Sequence, residues 1–211
     1  MTENKTSIQP STNGPYLAKD LNNLKNSKGD TFEPKPMVAM CRCGQSSTKP
    51  FCDGTHVKVG FTGEKLEGRQ PDKVDDYVGK DITIHDNRGV CSHRGYCTDN
   101  LPSVFRMKQE PWIDPEGASV EDIMRVIEMC PSGALSYTKD GVLHKELDRE
   151  PGVTISKDGP YEVVGGVELD DPDGNTPESK EHYTLCRCGA SKNKPFCNGE
   201  HWYVEFKDEK N

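Results

Sequence analysis

One string of residues occurs twice. CRCGQSSTKPFCDGTH occupies residues 41–56, and CRCGASKNKPFCNGEH occupies 186–201, a shift of 145 with no gap. Between Cys41–Phe61 and Cys186–Phe206, thirteen of twenty-one positions are identical. They include every Cys, the Lys-Pro-Phe before the third Cys, and the His. The same shift lays Gly14-Pro15-Tyr16 on Gly159-Pro160-Tyr161. A chain with this pattern must gather three thiols and an imidazole at two places, and two such copies can pair as a covalent form of a symmetric dimer.

The cysteine count narrows the chemistry. There are nine, so disulfides cannot pair them all. They fall into threes: Cys41, Cys43 and Cys52; Cys91, Cys97 and Cys130; Cys186, Cys188 and Cys197. The N-terminal stretch MTENKTSIQPSTNG has no apolar core, which points to no secretion leader and a reducing cytoplasm. Thiolate ligation of metal is then expected in preference to a disulfide framework. Only 32% of the 211 residues are hydrophobic and 29% are charged, which suits small modules held partly by metal better than one large core. A net charge of −8 argues against nucleic-acid and anionic-membrane partners. No apolar run is long enough for a transmembrane helix.

The expected fold class is α+β, β-rich, built from small metal-cluster domains: one outer module over 1–66, a central domain over 77–147, and a second outer module over 151–211. The two outer modules are expected in a pseudo-two-fold arrangement. The flanks GEKLEGRQPDKVDD and KELDREPG are polar and Gly/Pro-punctuated, as linkers are. The stretches between each Gly-Pro-Tyr and its first Cys (KDLNNLKNSKGD and VGGVELDDPDGN) are polar and poorly matched, and are taken as variable turns. In the centre, Asp81–Ile84 alternates as a strand does. Ser119 is placed as the N-cap of a helix whose Val120, Ile123, Met124 and Ile127 share a core face. Ala134–Tyr137 and Val142–His144 flank a Lys-Asp-Gly hairpin turn.

The outer spacing is C-x-C-x8-C-x3-H. Four ligands close a pair of tetrahedral irons that share two sulfides. Cys41 and Cys43 are expected on one iron, with Cys52 and His56, four apart, on the other. Cys186, Cys188, Cys197 and His201 repeat the set. One neutral imidazole in place of a thiolate raises the reduction potential and makes the site pH-sensitive. Asp53 and Asn198 are candidate N-caps of the turn carrying the His. A Cys3His zinc site uses the same donors, although zinc pairs usually span two to four residues and this pair spans one. His85, His144 and His182 do not recur and are taken as ordinary residues. Lys49 and Lys194 do recur, as solvated lysines or as neutralisers of cluster charge.

These residues resemble the CDGSH iron–sulfur motif of the mitoNEET-like family, in its tandem bacterial form. The resemblance covers about 8–61 and 153–206. It implies a 2Fe–2S cluster on each four-ligand set and a β-rich fold with a small cluster-binding lobe, paired by two-fold symmetry. The central segment resembles a divergent group of single-cluster bacterial ferredoxins that lack the middle cysteine and are often fused to CDGSH domains. Cys91, Cys97, the Leu-Pro-x-Val-Phe that follows, and Cys130-Pro-x-x-Ala-Leu carry that likeness, and Arg94 stands at the vacated cysteine position. A 3Fe–4S cluster needs only Cys91, Cys97 and Cys130. A 4Fe–4S cluster needs a further ligand, for which His93 is the nearest candidate. A cluster-free relic is the third reading.

The sequence holds no Ser-His-Asp set, phosphate loop or dinucleotide fingerprint. The function expected is electron transfer, without an enzymatic reaction of its own, between redox partner proteins. The alternatives are cluster storage, transfer to apo iron–sulfur acceptors or redox sensing, and a zinc-stabilised binding module.

Overall fold

A computed structural model describes residues 5–209 and 211, and it is built of short strands and shorter helices. The first outer segment holds β1 (Ser7–Pro10), β2 (Tyr16–Lys19), β3 (Leu24–Lys25), β4 (Met37–Met40) and α1 (Thr55–Lys58). The centre holds β5 (Val74–Val78), β6 (Thr83–Asn87), α2 (Tyr96–Asn100), α3 (Val120–Ile127), β7 (Leu135–Lys139) and β8 (Val142–His144). The last segment holds β9 (Gly152–Ile155), β10 (Tyr161–Val164), β11 (Glu168–Leu169), β12 (Tyr183–Leu185) and α4 (Glu200–Tyr203). The chain is thus β-rich α+β, with two mixed sheets and one antiparallel sheet.

The outer sheets are interlocked. One runs β11-β1-β2-β4 and the other β12-β10-β9-β3, so each takes an edge strand from the opposite end of the chain. Glu168 and Leu169 pair in parallel with Ser7 and Ile8, and Leu24 and Lys25 pair in parallel with Val153 and Thr154. The exchanged strands are the polar stretches expected to be variable turns. Their pairing uses main-chain groups, which need no apolar pattern. Alternation on β1 and β2 turns Ile8, Tyr16 and Ala18 inward. They join Ile155, Tyr161, Val163 and Leu185 in one core shared by both ends of the chain.

The central sheet runs β5-β6-β7-β8. Its first strand begins inside the stretch expected to be a linker, at Val74, and none of its residues is buried: Val74, Asp76 and Val78 are exposed and Asp75 and Tyr77 half-buried. The expected strand at Asp81–Ile84 begins later, at Thr83, because the amide of Gly79 turns back to the carbonyl of Ile82 at 2.9 Å. Helix α3 starts where Ser119 predicts: its Oγ accepts from the Asp122 amide at 3.2 Å. Ile123 and Ile127 are buried as expected, Val126 joins them, and Val120 and Met124 pack at the margin. The hairpin forms with Asp140 and Gly141 both left-handed (φ 52° and 75°), as a two-residue turn between twisted strands requires.

Candidate metal centres

Each outer cysteine loop is held by its own backbone and by the other repeat. The Cys41 amide donates to Pro50 O (2.7 Å) and the Cys52 amide to Ala39 O (2.9 Å). In the second loop, Cys186 donates to Pro195 O (2.8 Å) and Cys197 to Thr184 O (3.0 Å). Tyr161 then reaches across: its hydroxyl is 2.9 Å from Cys41 O and 3.0 Å from Pro50 O. Tyr16 does the same for the second loop, at 3.0 Å from Cys186 O and 2.9 Å from Pro195 O. The two rings meet edge to face, 6.1 Å apart. Burial holds both phenols well above their usual range, so they stay neutral donors. The loops also touch directly. A Cβ at Gly44 would stand 2.5 Å from Cys188 O, and one at Gly189 would stand 2.6 Å from Cys43 O. Both glycines are left-handed (φ 77° and 81°), so any side chain there meets strain and collision together.

The donors gather in close pairs. Cys41 and Cys43 Sγ are 3.9 Å apart, and Cys52 Sγ is 3.3 Å from His56 Nδ1. Cys186 and Cys188 Sγ are 3.8 Å apart, and Cys197 Sγ is 3.4 Å from His201 Nδ1. Among the described residues, no three such donors gather as a single metal ion would require. Asp53 is not the N-cap of α1; left-handed Gly54 is. The Asp53 carboxylate instead accepts from the Thr55 amide (3.0 Å) and the Ser47 amide (2.8 Å), and these bonds hold it far below the usual carboxylate range. Gly199 is the corresponding N-cap of α4.

Around the pairs, the two copies differ. Arg42 donates to Ser11 O and Gly63 O, both at 3.2 Å. Arg187 donates to Gly159 O and Ser156 O at 2.9 Å and pairs with buried Asp208, which stands where the first copy has Gly63. Lys49 reaches the Ser46 carbonyl, whereas Lys194 is buried and lies among the charge neighbours of Cys186 and Cys188. Recurrence in the sequence pointed to Lys194 but not to that burial. His182 is buried in a network with Ser179 and Glu181. His85 bonds Asp76 and Thr138, and His144 stacks on Tyr137.

In the centre, Cys91, Cys97 and Cys130 line one cavity of about 720 Å³. Arg88 stacks over Trp112, 4.3 Å from the ring centroid, and points a nitrogen at Cys91 Sγ (3.9 Å). Asp86 lines the same cavity and is 1% exposed, yet neither carboxylate oxygen has a hydrogen bond, since Arg88 Nε stands 3.8 Å away. Its burial raises the carboxyl to about 6. No pattern in the sequence singled it out. Arg94 lines the same cavity and pairs with Glu162 at 3.2 Å. His93 is left-handed (φ 53°), and its ring lies against Gly199, where a Cβ would stand 2.2 Å from Nδ1. Trp202 Nε1 donates to His93 O at 2.9 Å.

The donor chemistry fits iron–sulfur clusters. All nine cysteines are free thiols. Burial pushes Cys43 and Cys91 up to about 11 and Cys97 to about 12, and raises Cys197 further. Cys186 is pulled down by the hydrogen bond from Cys188, whose own thiol goes up. Without metal most of these groups therefore stay protonated at neutral pH, and ligation would displace those protons. His201 Nε2 is buried with no hydrogen-bond partner.

The family model described as "Iron-binding zinc finger CDGSH type" matches residues 13–57 and 158–202. The one described as "Divergent 4Fe-4S mono-cluster" matches residues 77–140. The "Uncharacterized protein YjdI" of Escherichia coli (strain K12) is 39% identical over 61 residues, which is 29% of this chain and 80% of that protein. Its counterpart in Escherichia coli O157:H7 matches to the same extent. No solved structure matches the chain. No helix among the described residues is long and apolar enough to cross a membrane. All three cysteine triplets and both paired histidines fall within the matched spans, so the chain belongs to the CDGSH-type iron-binding family, with two such regions flanking a divergent 4Fe–4S mono-cluster domain.

Proposed function

We propose that the chain is a one-electron carrier, not an enzyme, with a 2Fe–2S cluster in each outer loop and a larger cluster on the central triad. Bound, such clusters would supply reversible one-electron chemistry. Cys41 and Cys43 would hold one iron of the first pair, and Cys52 with His56 the other. Cys186 and Cys188, then Cys197 with His201, would do so in the second. The close donor pairs support two irons per loop, since a zinc finger wants four donors about one point. At the centre, Cys91, Cys97 and Cys130 supply three thiols, which supports a 3Fe–4S cluster. The 4Fe–4S alternative needs a further ligand, for which His93 lines the same cavity as the triad while its ring also lies against Gly199. The reciprocal tyrosine bonds and exchanged edge strands support the pseudo-two-fold pairing of the outer modules.

The observation that carries electron transfer is contiguity. The 91–97 segment of the triad lies against the 199–202 segment of the second outer loop, so two redox sites adjoin within one chain. The net charge of −8 suits encounter with basic patches on a reductase and an acceptor in the cytoplasm. The test is anaerobic isolation followed by iron and acid-labile sulfide analysis and electron paramagnetic resonance. Reversible reduction with sulfide retained is the expected result. A signal from the oxidised protein that vanishes on reduction indicates three central irons. Protein without labile sulfide refutes the reading and leaves the zinc module.

The half-buried His56 favours a second reading, transfer of a 2Fe–2S unit to an apo acceptor. His56→Cys and His201→Cys should then slow release and flatten its pH dependence. Unchanged rates would eliminate transfer.

A further inference from the structure

The two outer loops carry the same cysteines and histidine and match at thirteen of twenty-one positions, yet their Cys–His ends differ in surroundings. In the first, Cys52 and His56 are half-buried, Gly54 is exposed, and a Cβ at Gly54 would meet nothing within 4 Å. In the second, Cys197 and His201 are 2% and 3% exposed. At the Cys–Cys end the order reverses, since Cys188 is half-buried while Cys43 is buried, so the covering is specific to the Cys–His end.

The second end is covered by the central segment that carries the triad. His93 fills the space beside Gly199 that stands empty beside Gly54. The Trp202 indole N–H fastens the carbonyl of the same His93. Arg94 ties the same segment to the second repeat: it pairs with Glu162 of β10 at 3.2 Å and lies against Gly159, where a Cβ would stand 3.1 Å from its Nη1. Two contacts with His93 thus converge on the Cys–His end of the second loop, and Arg94 anchors the segment beside it, whereas among the described residues nothing stands within 4 Å of a Cβ at Gly54 in the first.

We propose that the 91–94 segment is a fixed cap that makes the two outer sites unequal: the first is open at its Cys–His end, reached there by solvent-borne reagents and partner proteins, and the second is closed at its Cys–His end and paired with the central triad. His93 and Trp202 are positioning residues, acting on the site through packing and one hydrogen bond. The proposal rests on the reading that both loops hold clusters. It adds that duplicated ligand sets have divided their roles, and that a third domain enforces the division.

The full chain, isolated with its clusters, tests this in two ways. Diethyl pyrocarbonate footprinting of the wild-type holoprotein should modify His56 and spare His201. Exposure to an iron chelator at neutral pH should bleach the visible bands of the outer sites in two phases, the faster absent from Cys52→Ser. Trp202→Phe should quicken the slow phase about fivefold, the effect of one lost hydrogen bond. Gly199→Ala should quicken it more. Gly54→Ala is the matched control: its backbone is equally left-handed (φ 85° against 86°), with open space around it. It should move neither phase by as much. Trp202→Phe alters an exposed side chain and serves where Gly199→Ala does not fold. Equal modification of the two histidines, or a fast phase that survives Cys52→Ser, would overturn the cap while leaving the cluster reading intact. Protein with no iron or sulfide would overturn both.

Discussion

Consider removing a single oxygen atom, in Tyr161→Phe. The hydroxyl is fully buried and stands 2.9 Å from Cys41 O and 3.0 Å from Pro50 O. Pro50 O keeps the Cys41 amide at 2.7 Å, so the carbonyl of Cys41 bears the loss. A buried acceptor stripped of its donor costs about 1–3 kcal/mol. Taking about 2 kcal/mol, at roughly 2–4 °C per kcal/mol for a chain of this length, the thermal midpoint should fall by about 4–8 °C. Tyr16→Phe should cost a similar amount. The rings touch, so the double variant need not equal the sum. The sharper expectation is crosswise. Tyr161 belongs to the second repeat and holds the first loop, while Tyr16 belongs to the first and holds the second. Chelator-driven bleaching should therefore quicken at the first site in Tyr161→Phe and at the second in Tyr16→Phe. If the whole cost appears as local opening, the factor approaches about thirtyfold. The assay uses each variant with the other site deleted, by Cys197→Ser or Cys52→Ser. Both tyrosines acting on the same site, or a cost under about 0.5 kcal/mol, would refute the reasoning.

Other expectations follow from buried charge and from metal. Asp86 is raised by burial from 3.8 to about 6, so its contribution to stability is full below about pH 4 and is lost as pH rises through 6. Asp86→Asn should therefore be the more stable form at pH 7, by about 3 kcal/mol for two pKa units, with the advantage gone near pH 4; chemical denaturation at the two pH values reads it, and a difference independent of pH would contradict it. Asp208→Ala leaves the Arg187 guanidinium buried without its carboxylate, which should cost about 3–5 kcal/mol in denaturant unfolding. A cost near zero would mean that the carbonyls of Gly159 and Ser156 suffice. Stripping the metals should collapse the amide dispersion of residues 41–61 and 186–206 while the shared strands keep theirs, since the strands have an apolar core and the loops depend on ligation. An unchanged spectrum would show that the loops stand without metal.

Several features were legible residue by residue. The Ser119 cap and the Lys-Asp-Gly hairpin are local, set by side-chain hydrogen bonding and by left-handed backbone within a few positions. The donor pairs were legible because C-x-C and C-x3-H bring neighbours together whatever surrounds them. The β5 strand was missed because VDDYV buries neither face, with Val74, Asp76 and Val78 exposed, and the alternation that marks a strand needs one buried apolar face. The exchanged strands β3 and β11 were missed because parallel pairing of two residues at a sheet edge leaves no mark on side-chain choice.

Spacing along the chain was enough to bring each Cys–Cys and Cys–His pair together, to show their duplication and to mark the family, because residues two or four apart meet whatever surrounds them. The crosswise tyrosine bonds, and the covering of one Cys–His end but not the other, came from long-range packing. They depend on which distant surfaces meet, and two loops with the same Cys and His positions cannot encode a difference imposed by a third segment packed against one of them.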